Sequence, residues 1–210
     1  HRDLHSFPTR RSSDLFYKEN YGITEQSIAQ KIYLSNLSPQ EVISCIYSNK
    51  SALHLESLRY MRDLKNRQEA LEKCNRDILE SLRWHEYNPM ANRSRANVLS
   101  FHQARNKEAL ECLEKIVHID PCADTLCLMG QICIYEGKFK EAWQYLEKAE
   151  NARAFAKSVK QLIPYYKATI YYLQKDYTRT IQFCKEFLTE YNPEKRSEER
   201  RVGKECRSRW

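Results

Sequence analysis

The residues best equipped for chemistry in this 210-residue chain are its cysteines and histidines. His118, Cys122, Cys127 and Cys133 lie within sixteen residues, and thiolates and imidazoles are the ligands that zinc prefers. Structural zinc sites usually pair their cysteines across a short gap of two residues, which this stretch lacks. We therefore predict no metal and no cofactor, and we interpret Cys133 as an ordinary buried thiol.

Cys74 and His85 have the residue types of a nucleophile and its base. No local signature of a cysteine enzyme surrounds either residue, and no other set of acid, base and nucleophile stands out. We therefore expect the protein not to be an enzyme.

Tyrosines are concentrated in the run YYKATIYYLQKDY, residues 165–177. Such side chains can form a stacking platform for nucleic-acid bases. At helical spacing, Tyr166 and Tyr177 fall on the packing side, whereas Tyr165 and Tyr172 fall on the opposite side. We predict core packing for most of these tyrosines and leave a ligand-binding role open for Tyr165 and Tyr172.

A basic cluster at Arg93, Arg95, Arg105 and Lys107 is of the kind that contacts phosphates. Acidic residues follow at once, beginning with Glu108, so we interpret the cluster as a solvated face.

Both ends of the chain are arginine-rich and lack hydrophobic periodicity: HRDLHSFPTRRSSDL at 1–15 and RSEERRVGKECRSRW at 196–210. One DNA segment, which looks like a sequencing-library adapter, can encode both when read on opposite strands. Two unrelated protein tails would share this relation only by accident. We therefore predict that both stretches are extraneous and unpacked, and we exclude them from fold reasoning.

Excluding the ends changes the charge argument. The whole chain has a net charge of +7, but residues 16–195 hold 26 basic and 23 acidic residues, a net of +3. This balance weakens the case for nucleic-acid binding. Cysteines without a paired framework favour a reducing, cytoplasmic compartment. No apolar run approaches the roughly 18 residues of a membrane span, so no membrane association is expected.

The elements that must position these residues are predicted to be helices. Leu, Glu, Lys and Ala are frequent throughout 60–190, where Gly130 and Gly137 are the glycines. Apolar residues from Leu55 to Leu82 recur mostly three, four or seven positions apart. This spacing predicts one long helix over 51–88, ended by proline at 89.

Residues 16–50 allow two interpretations. Ser38, Pro39 and Glu41 match a helix N-terminus with a capping box, which predicts a helix from residue 39. Alternatively, the segment is leader-derived, because the first methionine of the chain is Met61. The sequence leaves both open, and we expect the chain to be a fragment of a longer protein.

Beyond residue 89 the chain repeats itself in three units, at about 90–122, 123–156 and 161–194. Each unit contains an apolar helix, a short break and a second apolar helix. Ala109, Ala142 and Thr180 correspond to one another, at separations of 33 and 38 residues.

The middle unit resembles a tetratricopeptide repeat (TPR), whose period is about 34 residues. Gly130 is the small residue where two helices approach, and Gly137 is the permissive turn residue. Phe139 matches the residue that fills the gap, and Ala142 the small crossing residue. The predicted fold class is therefore all-α, a TPR-type helical hairpin solenoid over 89–195 with the preceding helix as a cap.

The TPR resemblance implies a ligand groove on the concave face, which the first helix of each hairpin forms. The inward positions of the family fall on Asp124, Cys127, Gln131 and Tyr135 in the second repeat, and on Tyr165, Thr169 and Tyr172 in the third. The lysine and asparagine of the chaperone-type carboxylate clamp are replaced by Ser94 and Val98, which disfavours a chaperone adaptor.

Across about 54–150, HLESLRYMRDLKNRQEAL followed by RANVLSFHQARNKEALECLEKI resembles the interferon-induced TPR proteins and their relatives. That resemblance implies binding of 5′-triphosphorylated RNA in a basic internal cavity. Two hypotheses follow: a scaffold that binds a protein or peptide in its groove, and an RNA-binding protein of innate immunity. The balanced charge favours the scaffold.

Overall fold

The computed structural model describes residues 37–152 and 157–190, and the regular elements in these ranges are all α-helices. They are α1 (Pro39–Leu58), α2 (Leu64–Trp84), α3 (Pro89–Gln103), α4 (Asn106–Val117), α5 (Ala123–Tyr135), α6 (Phe139–Asn151), α7 (Lys157–Gln161), α8 (Ile163–Leu173) and α9 (Tyr177–Glu190). None of these helices is long and apolar enough to cross a membrane. The predictions for 1–15, 16–36 and 196–210 concern residues outside the described ranges.

Consecutive helices pack in pairs: α1 with α2, α3 with α4, α5 with α6, and α8 with α9. The predicted class, an all-α chain of helical hairpins, is confirmed. The chain divides between Phe155 and Ala156 into two compact units. The first unit holds three hairpins, in which α4 and α3 also pack against α5. The second unit holds α7 and the hairpin of α8 and α9.

The three later hairpins turn at equivalent residues. Ala104, Gly137 and Lys175 have φ values of 54°, 72° and 63°. Their separations are the same 33 and 38 residues that relate the corresponding helices. A left-handed residue costs least when it is glycine, so Gly137 has the permissive role predicted for it, while Ala104 and Lys175 adopt the same turn with a side chain.

Gly130 lies where α5 and α6 approach most closely. A Cβ atom at this position would lie 3.2 Å from Cγ and Cδ2 of Leu146 and 3.4 Å from the carbonyl oxygen of Ala142. Leu146 and Ala142 are both fully buried. The close approach predicted for this residue is therefore what the helices adopt.

One core cluster joins the second hairpin to the first helix of the third. It contains Ala96 and Leu99 of α3, Ala109, Cys112, Leu113 and Ile116 of α4, and Met129 and Ile132 of α5. A second cluster, of Cys74 and Ile78 with Val98, joins α2 to α3. The hairpins of the first unit are thus held together by shared apolar cores.

The prediction of one helix over 51–88 is wrong. Helix α1 ends at Leu58, and α2 begins at Leu64. The Asp63 side chain caps the new helix by accepting a hydrogen bond from the Asn66 amide at 2.9 Å. The apolar spacing continues through Met61 across this break, so hydrophobic periodicity alone does not reveal it, whereas a capping aspartate does.

Helix α1 begins as its capping motif predicts. The Glu41 amide donates to Oγ of Ser38 at 3.2 Å, and the Ser38 amide donates to Oε2 of Glu41 at 2.6 Å. Pro39 occupies the first turn, where its missing N–H leaves no bond unmade. The helical interpretation therefore holds for residues 39–50.

The face that α1 buries is made largely of serines. Its buried residues are Ser44, Ser48, Ser51 and Leu58. The hydroxyl of Ser44 donates to the carbonyl of Ser81 at 2.8 Å, and the Ser81 hydroxyl returns a bond of 2.8 Å to the carbonyl of Ser44. Nδ2 of Asn88, the residue that caps α3, donates to Oγ of Ser44 at 2.9 Å. These bonds satisfy polar groups that burial would otherwise penalise.

Arg93 corrects the interpretation of the basic cluster as a solvated face. Its Nη1 lies 3.2 Å from Oδ2 of Asp120, and the two side chains are 17% and 1% exposed. The same nitrogen donates to Sγ of Cys122 at 3.4 Å and to Oγ1 of Thr125 at 3.3 Å. The ion pair therefore ties α3 to the connection between α4 and α5. Arg105 does lie at the surface, paired with Glu108.

Candidate binding face and cleft

The groove candidates of the second repeat follow one stripe of α5. Asp124 and Gln131 are half-buried, and Tyr135, at the end of the helix, is 65% exposed. Cys127 is the exception, because it is buried and its side chain is not accessible to a ligand. The accessible part of this stripe is therefore polar at one end and aromatic at the other.

Tyr135 forms an aromatic pair with Phe101 of α3. The ring centroids lie 5.4 Å apart in an edge-to-face arrangement of 70°, a favourable geometry for two aromatic rings. The register that places Tyr135 in the groove also places Phe101 and His102 at the twelfth and thirteenth positions of the first repeat. Extending that register to the first repeat would have found these residues from the sequence.

The candidates of the third repeat lie on α8, in the second unit. Tyr165 and Tyr172 are 51% and 60% exposed, and Thr169 is half-buried with its hydroxyl donating to the carbonyl of Tyr165 at 2.9 Å. The Tyr165 ring lies 5.9 Å from that of Phe187. Tyr177, which the spacing placed on the packing side, is instead exposed and lies edge-on to Tyr172.

A cleft of about 420 Å³ lies between α1, α2 and α3. Its apolar wall comes from α1, through Ala52, Leu55 and Leu58. Its polar side chains are Glu56, Arg59, Arg67, Asn97 and His102. The sequence did not predict this cleft, because three helices contribute to it and the break between α1 and α2 forms one of its edges.

Positive charge predominates in this cleft. Nη1 of Arg59 lies 4.0 Å from Oε1 of Glu56, at the outer limit of an ion pair. Within the described ranges, the Arg67 side chain has no acidic partner. Partial burial, and secondarily the charge of Arg67, lowers the pKa of His102 below its usual value. The cleft therefore presents guanidinium groups beside a largely neutral imidazole.

A second cavity, of about 390 Å³, is lined by basic residues of α1 and α2. Nζ of Lys50 lies 3.2 Å from Oδ1 of the buried Asp77, and Nε2 of His54 lies 3.2 Å from Oδ2 without hydrogen-bond geometry. Lys73 and Arg76 also line the cavity and make no ion pair with other described residues. The pairing of the two helices brings these charges together, so the linear sequence does not show the cluster.

The buried cysteines are poorly placed for nucleophilic chemistry. Burial, with a smaller contribution from Asp77, raises the pKa of Cys74 to about 12, and its thiol donates to the Ser51 carbonyl at 3.4 Å. Burial likewise raises the pKa of Cys133 to about 11, with a further contribution from Glu141. A nucleophilic cysteine needs the opposite shift. Among residues 37–152 and 157–190, no three His, Cys, Asp or Glu side chains are grouped as metal ligands.

The architecture defines an all-α protein of paired helices, with exposed tyrosines on the first helices of its later hairpins. Comparison with known proteins gives no narrower class: no family model matches the chain, and no curated protein matches it. Its function has to be argued from the binding face and the cavities.

Proposed function

We propose that this chain is a TPR-type scaffold, which binds a peptide segment of another protein along the first helices of its hairpins. Two structural features support a TPR-type repeat. The first is the close approach of α5 and α6 at Gly130. The second is the left-handed turn that recurs at 33 and 38 residues. Both are backbone requirements of a repeated helical hairpin.

The observation that carries the peptide-binding proposal is the exposure of Tyr135, Tyr165 and Tyr172. Half or more of each side chain is open to solvent, and all three occupy positions that the TPR resemblance assigns to the groove. Tyrosine offers a large, rigid contact area and a polar tip, which is why it is enriched where proteins bind one another.

Replacement of Gln131, Tyr165 and Tyr172 together by alanine is expected to weaken peptide binding about 10- to 100-fold, because aromatic anchors carry most of the energy of such contacts. The ligands would be peptides selected from a random displayed library on the immobilised chain. Their affinities are then measured by fluorescence polarisation, and circular dichroism checks that helicity is kept.

The matched control replaces Tyr60 and Tyr87, which are exposed but lie outside the first helices of the repeats. This control should bind the selected peptides with unchanged affinity. Binding that survives the triple replacement, or falls equally in the control, would show that the groove is assigned wrongly.

The second candidate is RNA binding, and the basic cavity of Lys50, Lys73 and Arg76 favours it. Affinity for a single-stranded RNA oligonucleotide should then fall steeply with salt, because cations that bind phosphates release counterions. Replacement of Lys73 and Arg76 by alanine should reduce the slope of log affinity against log salt by about 2.

The control for this test replaces Lys138 and Lys140, which remove the same charge from the surface around the start of α6. The slope should change less in the control than in the cavity variant. A flat salt response of the unaltered chain would eliminate the RNA candidate.

A further inference from the structure

The cleft between α1, α2 and α3 has hydrogen-bond donors that the described part of the protein leaves unused. Neither the Arg67 guanidinium nor the Asn97 side-chain amide makes a hydrogen bond to another described residue. Arg59 is only loosely paired with Glu56, at 4.0 Å. An anion that entered this cleft would find donors that it need not take from existing partners.

His102 lines the same cleft and responds to the same charges. The charged groups that line the cleft with it are Glu56 and Arg59 at the end of α1, and Arg67 on α2. Partial burial and the Arg67 charge lower the pKa of His102, so near neutral pH the imidazole is mostly uncharged. A bound anion would offset both effects and favour the protonated imidazole.

We propose that this cleft binds one acidic side chain, glutamate or aspartate, of the peptide held by the groove. This inference rests on the proposed scaffold function. Arg67 supplies the planar pair of donors that matches a carboxylate, and Asn97 and His102 add further donors. The apolar wall of Leu55 and Leu58 accommodates the methylenes of the acidic residue or an aliphatic neighbour.

The position of the cleft fits such a role. His102 lines it, and the preceding residue, Phe101, forms the aromatic pair with Tyr135. The aromatic pair and the cleft are therefore adjacent at the end of one helix. A short peptide in contact with the two rings can extend an acidic side chain to the neighbouring cleft.

A carboxylate fits this cleft better than a phosphate chain. The Glu56 carboxylate lies among the lining residues and would repel a multiply charged ligand more than a singly charged one. The apolar wall also suits a side chain with methylenes. The more strongly basic surface is the separate cavity of Lys50, Lys73 and Arg76.

The test compares two fluorescent peptides, Ala-Tyr-Leu-Glu-Leu-Tyr-Ala and its counterpart with Gln in place of Glu, both blocked at their ends. By fluorescence polarisation at neutral pH, the Glu peptide is expected to bind about tenfold or more tightly than the Gln peptide. Arg67→Gln should abolish this difference and leave the affinity for the Gln peptide unchanged.

Arg83→Gln is the matched control, because it removes one positive charge from the same helix outside the cleft. It should preserve the preference for the Glu peptide. Since Arg67 is largely exposed, Arg67→Gln should keep the fold, which circular dichroism checks.

A pH series gives an independent readout. Binding of the Glu peptide should raise the pKa of His102, so affinity should increase as the pH falls from about 8 to 6, where the peptide carboxylate stays ionised. The increase should be absent for the Gln peptide and in His102→Gln. NMR titration of the His102 ring with and without the Glu peptide measures the shift directly.

Equal affinity for the two peptides, an unchanged preference in Arg67→Gln, or no binding of either peptide at millimolar concentration would each overturn the carboxylate proposal. Failure of the scaffold proposal is distinguished by Tyr135→Ala. If this change weakens both peptides while Arg67→Gln has no effect, the groove stands and the acidic site does not. Displacement of the Glu peptide by an RNA oligonucleotide, with loss of RNA binding in Arg67→Gln, would also overturn it.

Discussion

Arg93→Met is expected to lower the free energy of unfolding by about 3–5 kcal/mol, because it removes the guanidinium partner of a buried carboxylate. Asp120 is 1% exposed, and its Oδ2 lies 3.2 Å from Nη1 of Arg93. Methionine retains the length and apolar stem of the arginine, so the loss reflects charge and hydrogen bonds more than volume. Urea denaturation followed by circular dichroism measures it.

The double variant Arg93→Met/Asp120→Asn should recover much of the loss, since no charge then remains buried without its counterion. Arg105→Met is the matched control, because Arg105 forms its ion pair with Glu108 at the surface. Surface pairs contribute little, so this control should leave the denaturation midpoint nearly unchanged. Equal effects of Arg93→Met and Arg105→Met would contradict the importance assigned to the buried pair.

Gly130→Val is expected to lower the free energy of unfolding by about 2–3 kcal/mol, because the added side chain overpacks the contact between α5 and α6. Even a Cβ atom would meet Cγ and Cδ2 of Leu146 at 3.2 Å, and the two γ-methyls of valine extend further. The greater helix propensity of valine offsets only a small part of this cost. Thermal unfolding followed at 222 nm measures the change.

The same contact predicts non-additivity with Leu146→Ala. Alone, that change should cost about 2–5 kcal/mol, because a fully buried leucine is lost. Combined with Gly130→Val, it should cost less than the sum, since each change makes room for the other. Gln131→Val is the control on the next residue of α5, where a half-buried side chain tolerates the change. Additive costs would mean that the two helices adjust without strain at Gly130.

Local chemistry in the sequence was sufficient to predict the helices and their turns. Ser38 and Glu41 specify the start of α1, because a capping box depends on four consecutive residues. Gly137 specifies a hairpin turn, because its backbone conformation costs a side chain energy. Gly130 gives the position of a close helix contact. Each of these signals lies within one turn of the residues it affects.

The packing of α1 could not be predicted from hydrophobic periodicity. Val42, Ile46 and Leu53 are exposed, whereas Ser44 and Ser48 are buried. Small side chains allow α1 and α2 to approach closely, and hydrogen bonds to α2 then replace apolar contact for Ser44. A pattern based on hydrophobicity assigns the opposite faces, because it carries no information on the partner helix.

The binding face was only partly predictable for the same reason. The exposure of Tyr165 and Tyr172 agrees with the side on which their helical spacing placed them. The cleft around Arg67 and His102 depends on the mutual positions of three helices. The pairing of Arg93 depends on Asp120, 27 residues away in the sequence. Such long-range contacts leave no short motif.

The serine bonds between α1 and α2 have a consequence for how the first hairpin opens. Ser44 and Ser81 exchange bonds with each other's backbone, and Asn88 joins them while capping α3. Separation of any one of these elements would leave buried polar groups of the other two unsatisfied. Opening of α1 should therefore carry the first turn of α3 with it, so that hydrogen exchange in these segments reports one cooperative event.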